Sequence, residues 1–127
     1  MKTKLFTLAL MLLFTAALAQ TKKELLTSKK WNYSGIEEFG VVKPPDSTMK
    51  NDNIALMADG TFIMVKKNKK TNGTWSFNEK AGVITFTDGT SKKNMSYNLK
   101  SVDEKELVIE YQTPDLVRTR YRYQAAQ

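Results

Sequence analysis

The sequence predicts an all-β protein, an eight-stranded antiparallel up-and-down barrel that follows one short helix. Three observations support this fold class. Apolar and polar residues alternate with a period of two from Trp31 onward, turn-forming residues recur between these segments, and no helical period interrupts them. Short links favour antiparallel pairing of sequential strands, and a meander with one apolar face closes because closure removes exposed strand edges. A β-sandwich is the alternative.

Residues 1–19 predict a secretory signal peptide that is not part of the barrel. A basic start precedes an apolar run, and Ala17 and Ala19 fit a small-x-small cleavage site. The apolar run is shorter than the roughly 20 residues of a bilayer span, although an N-terminal membrane anchor is the alternative. We therefore expect cleavage after Ala19, a periplasmic or secreted location in a bacterium, and a single domain over residues 20–127.

The first predicted element of the mature chain is a helix over residues 21–28. Thr21 is suited to cap it, and Glu24 follows three residues later. The first strand then begins at Trp31. A polar link over residues 42–53, which contains two prolines, separates that strand from the next one.

The remaining strands are separated by turns that the sequence marks clearly. Asp59-Gly60 and Asp88-Gly89 are typical of tight hairpin turns, and a lysine-rich tip occupies residues 66–70. Further turns are predicted at residues 78–82, 103–105 and 113–115. The strands between these turns are expected at residues 54–56, 62–65, 73–77, 83–87, 94–100, 107–111 and 117–123.

Several segments resemble motifs of the bacterial lipocalin-like domain family. They are the Ala-Asp-Gly-Thr-Phe hairpin within residues 56–62, the Gly-Thr-Trp strand at residues 73–77 and the apolar strand at residues 83–86. The leucine pair before Trp31 and the Glu-Leu-Val-Ile-Glu strand at residues 106–110 are also similar to that family. The resemblance extends from Leu25 to Tyr123 and implies a lipocalin-like barrel in an exported protein. These motifs specify packing and imply no particular chemistry.

Composition excludes most catalytic and metal chemistry. The chain of 127 residues has a net charge of +7 and contains neither Cys nor His, so it forms no disulfide, Cys/His metal site or nucleophile–histidine pair. Glu37 and Glu38 are adjacent, and neighbours on a strand point to opposite faces, so the two cannot act together unless a bulge intervenes. We therefore expect no enzymatic activity, no cofactor and no metal.

The inward faces of the strands form the candidate ligand site, because an eight-stranded barrel either fills its interior with side chains or holds one small ligand. Methionines adapt to variable ligands, and tyrosines bring hydroxyl groups to a partly polar cavity. A filled apolar core is the alternative explanation of the same residues. The candidate ligand-binding residues are Trp31, Tyr33, Phe62, Met64, Trp75, Phe77, Phe86, Met95, Tyr97, Tyr111, Tyr121 and Tyr123.

Two groups of basic residues are candidates for anion contacts. Arg118, Arg120 and Arg122 share one face of the last strand, where guanidinium groups could bind a carboxylate or phosphate. The alternative is a solvated outer face, because the intervening tyrosines are better core residues. Lysines at residues 66–70 and 92–93 suggest a weak contact with anionic envelope surfaces or a solubilising function. Export and the absence of an aromatic platform exclude nucleic acid as a partner.

The sequence therefore predicts an exported protein that does not span a membrane and that binds a small, mainly apolar, lipophilic molecule. The alternative is a cell-envelope interaction or structural module with a filled barrel and no small ligand. A connected interior cavity favours the first function, and a filled interior favours the second. Neither the ligand nor the oligomeric state is specified by the sequence.

Overall fold

The computed structural model describes residues 21–127, and the predicted signal peptide lies outside the described residues. One helix precedes nine strands. They are α1 (Lys22–Ser28), β1 (Trp31–Glu38), β2 (Val41–Lys43), β3 (Asn53–Leu56), β4 (Thr61–Lys66), β5 (Lys69–Asn78), β6 (Val83–Asp88), β7 (Asn94–Val102), β8 (Glu106–Gln112) and β9 (Arg118–Ala125).

All strands except β2 form a closed antiparallel barrel. Sequential pairing runs from β3 to β9, and β1 closes the barrel by pairing with β9 along most of its length and with β3 at its start. The predicted eight-stranded up-and-down barrel is therefore confirmed. Its turns lie alternately at the two ends of the barrel, because each strand reverses the direction of the preceding one.

The helix α1 covers one end of the barrel, which we call the closed end. Thr21 caps the helix as predicted, since its Oγ1 atom accepts a hydrogen bond from the Glu24 amide at 3.1 Å. Leu26 is fully buried, and its carbonyl oxygen accepts a hydrogen bond from Trp31 Nε1 at 3.0 Å. Leu26 and Trp31 therefore seal the interior where β1 begins.

The polar link predicted over residues 42–53 is wrong at its start, because residues 41–43 form the strand β2. Phe39 and Gly40 have φ angles of 51° and 75°, the left-handed conformation that a two-residue hairpin turn requires. The chain consequently folds back onto β1. Gly35 permits this pairing, because a Cβ atom there would lie 2.9 Å from the Lys43 carbonyl oxygen. The strand is too short and too exposed to have a clear alternating pattern in the sequence.

The lysine-rich tip is shorter than predicted. Lys67 and Asn68 have φ angles of 50° and 65° and form a two-residue turn, so β5 begins at Lys69 and not at Gly73. Asp52, which is buried, accepts a hydrogen bond from the Lys67 amide at 2.8 Å and holds this turn in place. The start of β5 was missed because its residues are polar and give no alternation of hydrophobicity.

A β-bulge in β1 changes which residues face the interior. The pairing register with β9 shifts between Tyr33 and Gly35. Trp31 and Tyr33 face inward before the bulge, whereas Ile36 packs against the core after it. Glu38 lies two residues after Ile36 and so points to the same side of the strand. Its Oε1 atom accepts a hydrogen bond from Thr119 Oγ1 at 3.2 Å. Glu38 therefore lies on the inner side at the end of the barrel opposite α1.

Candidate ligand-binding site

A cavity of about 330 Å³ opens at the end of the barrel opposite α1, which we call the open end. Its volume lies at the lower limit of small-molecule pockets. The apolar part of its wall, which we call the floor, is lined by Phe62, Met64, Phe86, Met95 and Tyr97. The polar part, which we call the rim, is lined by Lys66, Thr71, Asp88, Ser91, Lys93 and Asn94.

The period of two in the strands places the floor residues on one inner surface. Phe62 and Met64 are separated by one residue on β4, as are Met95 and Tyr97 on β7. Phe86 of β6 is directly opposite Met95 in the antiparallel register. Three strands, β4, β6 and β7, therefore contribute apolar side chains to one concave surface.

Aromatic packing holds the floor in a defined arrangement. Phe86 packs edge to face against Phe62, with ring centroids 5.1 Å apart, and against Tyr97, with centroids 5.7 Å apart. The Tyr97 hydroxyl group donates to Met95 Sδ at 3.8 Å. Burial raises the pKa of Tyr97 to about 12, so its hydroxyl group is neutral and able to donate at physiological pH.

Lys66 brings an ammonium group into the open end of the barrel. It continues the inward row of Phe62 and Met64 on β4, two residues beyond Met64. Although the side chain as a whole is exposed, its Nζ atom lies 5.9 Å from the centroid of the Tyr121 ring, across the barrel. Burial among these residues lowers the pKa of Lys66, and the negative charge of Asp52 opposes that effect.

Sequence reasoning missed Lys66 as an inward residue because its charge suggested a solvent-exposed loop tip. The signal that identifies it is its position four residues after Phe62 on the same strand. Lys93, Asp88 and Asn94 were also missed, and they line the rim because the loop between β6 and β7 borders the cavity. Asp88 ends β6 two residues after Phe86, so the strand period identifies it, and Asn94 begins β7. Lys93 lies in the loop between these strands, where no periodicity could place it.

The structure brings together five of the predicted ligand-binding residues, the floor residues. The other predicted residues lie in or against the packed core and do not line this cavity; they are Trp31, Tyr33, Trp75, Phe77, Tyr111, Tyr121 and Tyr123. Trp75, for example, is buried and donates through Nε1 to the Met57 carbonyl oxygen at 2.9 Å. The interior is therefore filled with side chains near α1, and this cavity lies toward the open end.

The predicted anion-binding arginines lie on the outer face of β9, away from the cavity. Arg120 Nε donates to Glu110 Oε2 at 2.9 Å. Arg122 donates through Nη1 to Glu106 Oε1 at 2.6 Å and through Nη2 to Glu37 Oε1 at 3.3 Å. Arg118 is exposed where β9 begins. Arg120 and Arg122 therefore already have carboxylate partners on the outer face of the barrel.

The adjacent glutamates contact different partners, as expected for neighbours on a strand. Glu37 pairs with Arg120 and Arg122 on the outside, whereas Glu38 accepts a hydrogen bond from Thr119. Within residues 21–127, no group of three acidic, His or Cys side chains is arranged to hold a metal ion. In the same residues, no helix has the length and hydrophobicity needed to span a bilayer.

Comparisons with known proteins identify the fold. No protein-family model matches the chain, and no curated protein matches it at a significant level. Among solved structures, the chain is similar to a DUF4847 family protein from Bacteroides vulgatus ATCC 8482, with a TM-score of 0.61, 15% identity, and coverage of 82% of this chain and 96% of that chain. It is also similar to a lipocalin-like protein from Bacteroides uniformis ATCC 8492, with a TM-score of 0.59, 13% identity, and coverage of 80% and 99%. The chain thus has the eight-stranded barrel fold of a lipocalin-like protein.

Proposed function

We propose that the protein is exported from a bacterial cell and binds one small, mainly apolar molecule in the cavity at the open end of its barrel. The observation that carries this proposal is the cavity of about 330 Å³ whose floor is formed by aromatic and methionine side chains. The signal-peptide pattern in residues 1–19 supports export. No catalytic function is proposed.

The cavity supports ligand binding because it offers apolar surface that a ligand would cover. Burying apolar surface contributes roughly 25 cal/mol per Å². Met64 and Met95 are unbranched and polarisable, so they adjust to ligands of different shape. Met95 lies at the mouth of the cavity, and 46% of it is exposed. A large apolar side chain with that exposure is suited to contact a ligand.

The depth of the cavity limits the size of the ligand. The closed end of the barrel is filled by buried side chains that include Trp31, Ile84 and Leu107. A ligand therefore enters from the open end and lies against Phe62, Phe86 and Tyr97, with its outer end at the polar rim. These constraints favour a ligand smaller than those that larger carrier barrels enclose.

The first test is titration of the protein with decanol by isothermal calorimetry. We expect measurable binding to the wild type, because decanol has an apolar chain and no charge. Met95→Trp should weaken binding by at least about tenfold, equivalent to roughly 1.4 kcal/mol, since the larger side chain occupies the cavity mouth. Asn98→Trp is the matched control, because Asn98 lies on the same strand but is exposed on its outer face.

Native mass spectrometry of protein purified from its own source complements the titration. A retained small molecule that is lost in the Met95→Trp variant supports the proposal. A folded wild-type protein that binds neither decanol nor any member of a lipophilic library would overturn it. That result would favour the alternative function, an interaction or structural module of the cell envelope.

A further inference from the structure

We propose, on the basis of the proposed function, that the ligand carries a carboxylate on an apolar chain and that Lys66 forms an ion pair with this group at the cavity rim. The apolar chain would lie on the floor formed by residues such as Phe62 and Phe86. The carboxylate would lie where Lys66 Nζ enters the barrel opposite Tyr121.

Within the described part of the chain, Lys66 has no carboxylate partner, which is also true of Lys69, Lys70 and Arg118 on other strands. It differs from these three because it lines the cavity and its ammonium group lies near the Tyr121 ring. All ion pairs within residues 21–127 involve Lys100, Arg120 or Arg122, which lie on the outer face. Asp52 is the carboxylate whose charge acts on Lys66, and its Oδ1 atom already accepts a hydrogen bond from the Lys67 amide. The Lys66 ammonium group is therefore partly desolvated and without an ion-pair partner, which costs free energy that an anionic ligand would recover.

Among the residues that line the cavity, ammonium groups exceed carboxylates by one, and the carboxylate of Glu38 lies on the inner side at the same end without lining this cavity. Lys66 and Lys93 line the rim together with one carboxylate, that of Asp88. Asp88 Oδ1 accepts hydrogen bonds from the amides of Thr90 and Ser91 at 2.7 and 3.0 Å. These hydrogen bonds hold the carboxylate against the loop between β6 and β7. A monoanion balances the remaining charge. A doubly charged phosphate would exceed it.

The position of the ammonium group relative to the floor specifies an amphipathic ligand. Lys66 is two residues from Met64 and four from Phe62 on one inward row, so the charged and apolar contacts lie along one line toward the closed end. A ligand with its charge at one end and an unbranched chain behind it matches this row. Free fatty acids of medium length have that structure.

The test compares ligands that differ only in the head group, below the concentrations at which they form micelles. Decanoate, decanol, decylamine and decyl phosphate are titrated into the wild type. We expect decanoate to bind at least about tenfold more tightly than decanol, and decylamine to bind more weakly than either. Raising the salt concentration should weaken decanoate binding and leave decanol binding nearly unchanged.

Three variants assign the effect to Lys66. Lys66→Met should abolish the preference for decanoate over decanol, whereas Lys66→Arg should retain it. Lys70→Met is the matched control, because it removes the same charge from the same hairpin at an exposed position that does not line this cavity. Thermal unfolding verifies that each variant is folded.

The outcomes separate this inference from the proposed function. Equal binding of decanoate and decanol to the wild type, or an unchanged preference in Lys66→Met, overturns the ion pair while decanol binding still supports an apolar ligand. Tighter binding of decyl phosphate than of decanoate overturns the carboxylate assignment. Failure of every probe to bind the folded wild type overturns both proposals.

Discussion

Charged side chains of this barrel fall into two groups according to the strand face on which they lie. On the outer face, Arg120 and Arg122 pair with three glutamates that come from two other strands. On the inner side, Lys66 has no such partner. Side-chain alternation thus decides whether a basic residue pairs with the glutamates of the outer face or lines the cavity.

Aspartates serve local structure in this protein. The side chains of Asp46, Asp59, Asp88 and Asp103 each accept hydrogen bonds from backbone amides two or three residues later. Hydrogen bonds from the hydroxyl groups of Thr48 and Thr61 are the main cause that lowers the pKa of Asp46 and Asp59, and the amides add to it, whereas the amides are the main cause for Asp88 and Asp103. Asp59 and Asp88 therefore have the structural function expected of Asp-Gly turns.

Glu110 provides a prediction at the scale of single residues. It is 3% exposed, and it accepts a hydrogen bond from Arg120 and lies 3.5 Å from Lys100 Nζ. Glu110→Gln should lower the free energy of unfolding at neutral pH by about 1–2 kcal/mol, because the charged hydrogen bond is replaced by a neutral one near a partly exposed arginine. Urea denaturation measures this change, with Glu104→Gln at an exposed turn as the control.

The pH dependence of that difference has a definite sign. Burial alone would raise the pKa of Glu110, but the hydrogen bond from Arg120 and the charges of Lys100 and Arg120 outweigh it and lower the pKa below its usual 4.5. A carboxyl group with a lowered folded pKa stabilises the protein above its unfolded pKa and loses that contribution as pH falls through the folded pKa. The difference in the free energy of unfolding between wild type and Glu110→Gln should therefore decrease as the pH is lowered. A difference that is constant with pH would contradict this explanation.

At the scale of elements, close approach of β5 and β6 depends on Gly73. A Cβ atom at this position would lie 2.0 Å from the Thr87 carbonyl oxygen and 3.1 Å from the Phe62 ring. The Gly-Thr-Trp segment therefore has a packing function, since only glycine lets the two strands approach each other where Phe62 lies beneath them.

Gly73→Ala should destabilise the protein by about 1–3 kcal/mol, because the added methyl group forces the β5–β6 pair apart. Thr74→Ala, at the neighbouring exposed position, should change the free energy of unfolding by less than about 1 kcal/mol. Thermal and urea unfolding of both variants measure the difference. Equal stability of Gly73→Ala and the wild type would show that the strands separate without cost.

For the whole molecule, the interior consists of a packed end and an end that contains a cavity. The closed end contains fully buried side chains such as Leu26, Trp31 and Leu107 beneath α1. The open end contains the cavity and most of its polar rim. Changes at the closed end should therefore alter stability and leave the ligand site intact.

Leu26→Ala tests this division. The side chain is fully buried beside Trp31, so its truncation should cost about 2–5 kcal/mol of unfolding free energy through lost burial and a new cavity. Leu25→Ala, at the adjacent and less buried position, should cost markedly less. Decanol titration of the folded Leu26→Ala variant should give the wild-type affinity. A weakened affinity would indicate that the two ends of the barrel are coupled.

The sequence by itself determined the helix, most of the strand positions and the barrel. Alternation of Met95, Tyr97 and Leu99 with polar neighbours specified β7, and Asp59-Gly60 specified the turn before β4, because both signals act within a few residues. The strand β2 and the start of β5 were missed, since exposed polar or very short strands have no such local signal.

Only the tertiary structure decided which part of the interior is open. Alternation shows that a residue such as Trp75 or Met64 faces inward, but whether it meets other side chains depends on strands that are distant in sequence and on α1. The bulge after Tyr33 likewise reverses the facing of later residues in β1, and no local pattern marks it. The position of the cavity therefore follows from how the closed barrel packs, and Lys66 lines it because strand period, not charge, determines which way a side chain points.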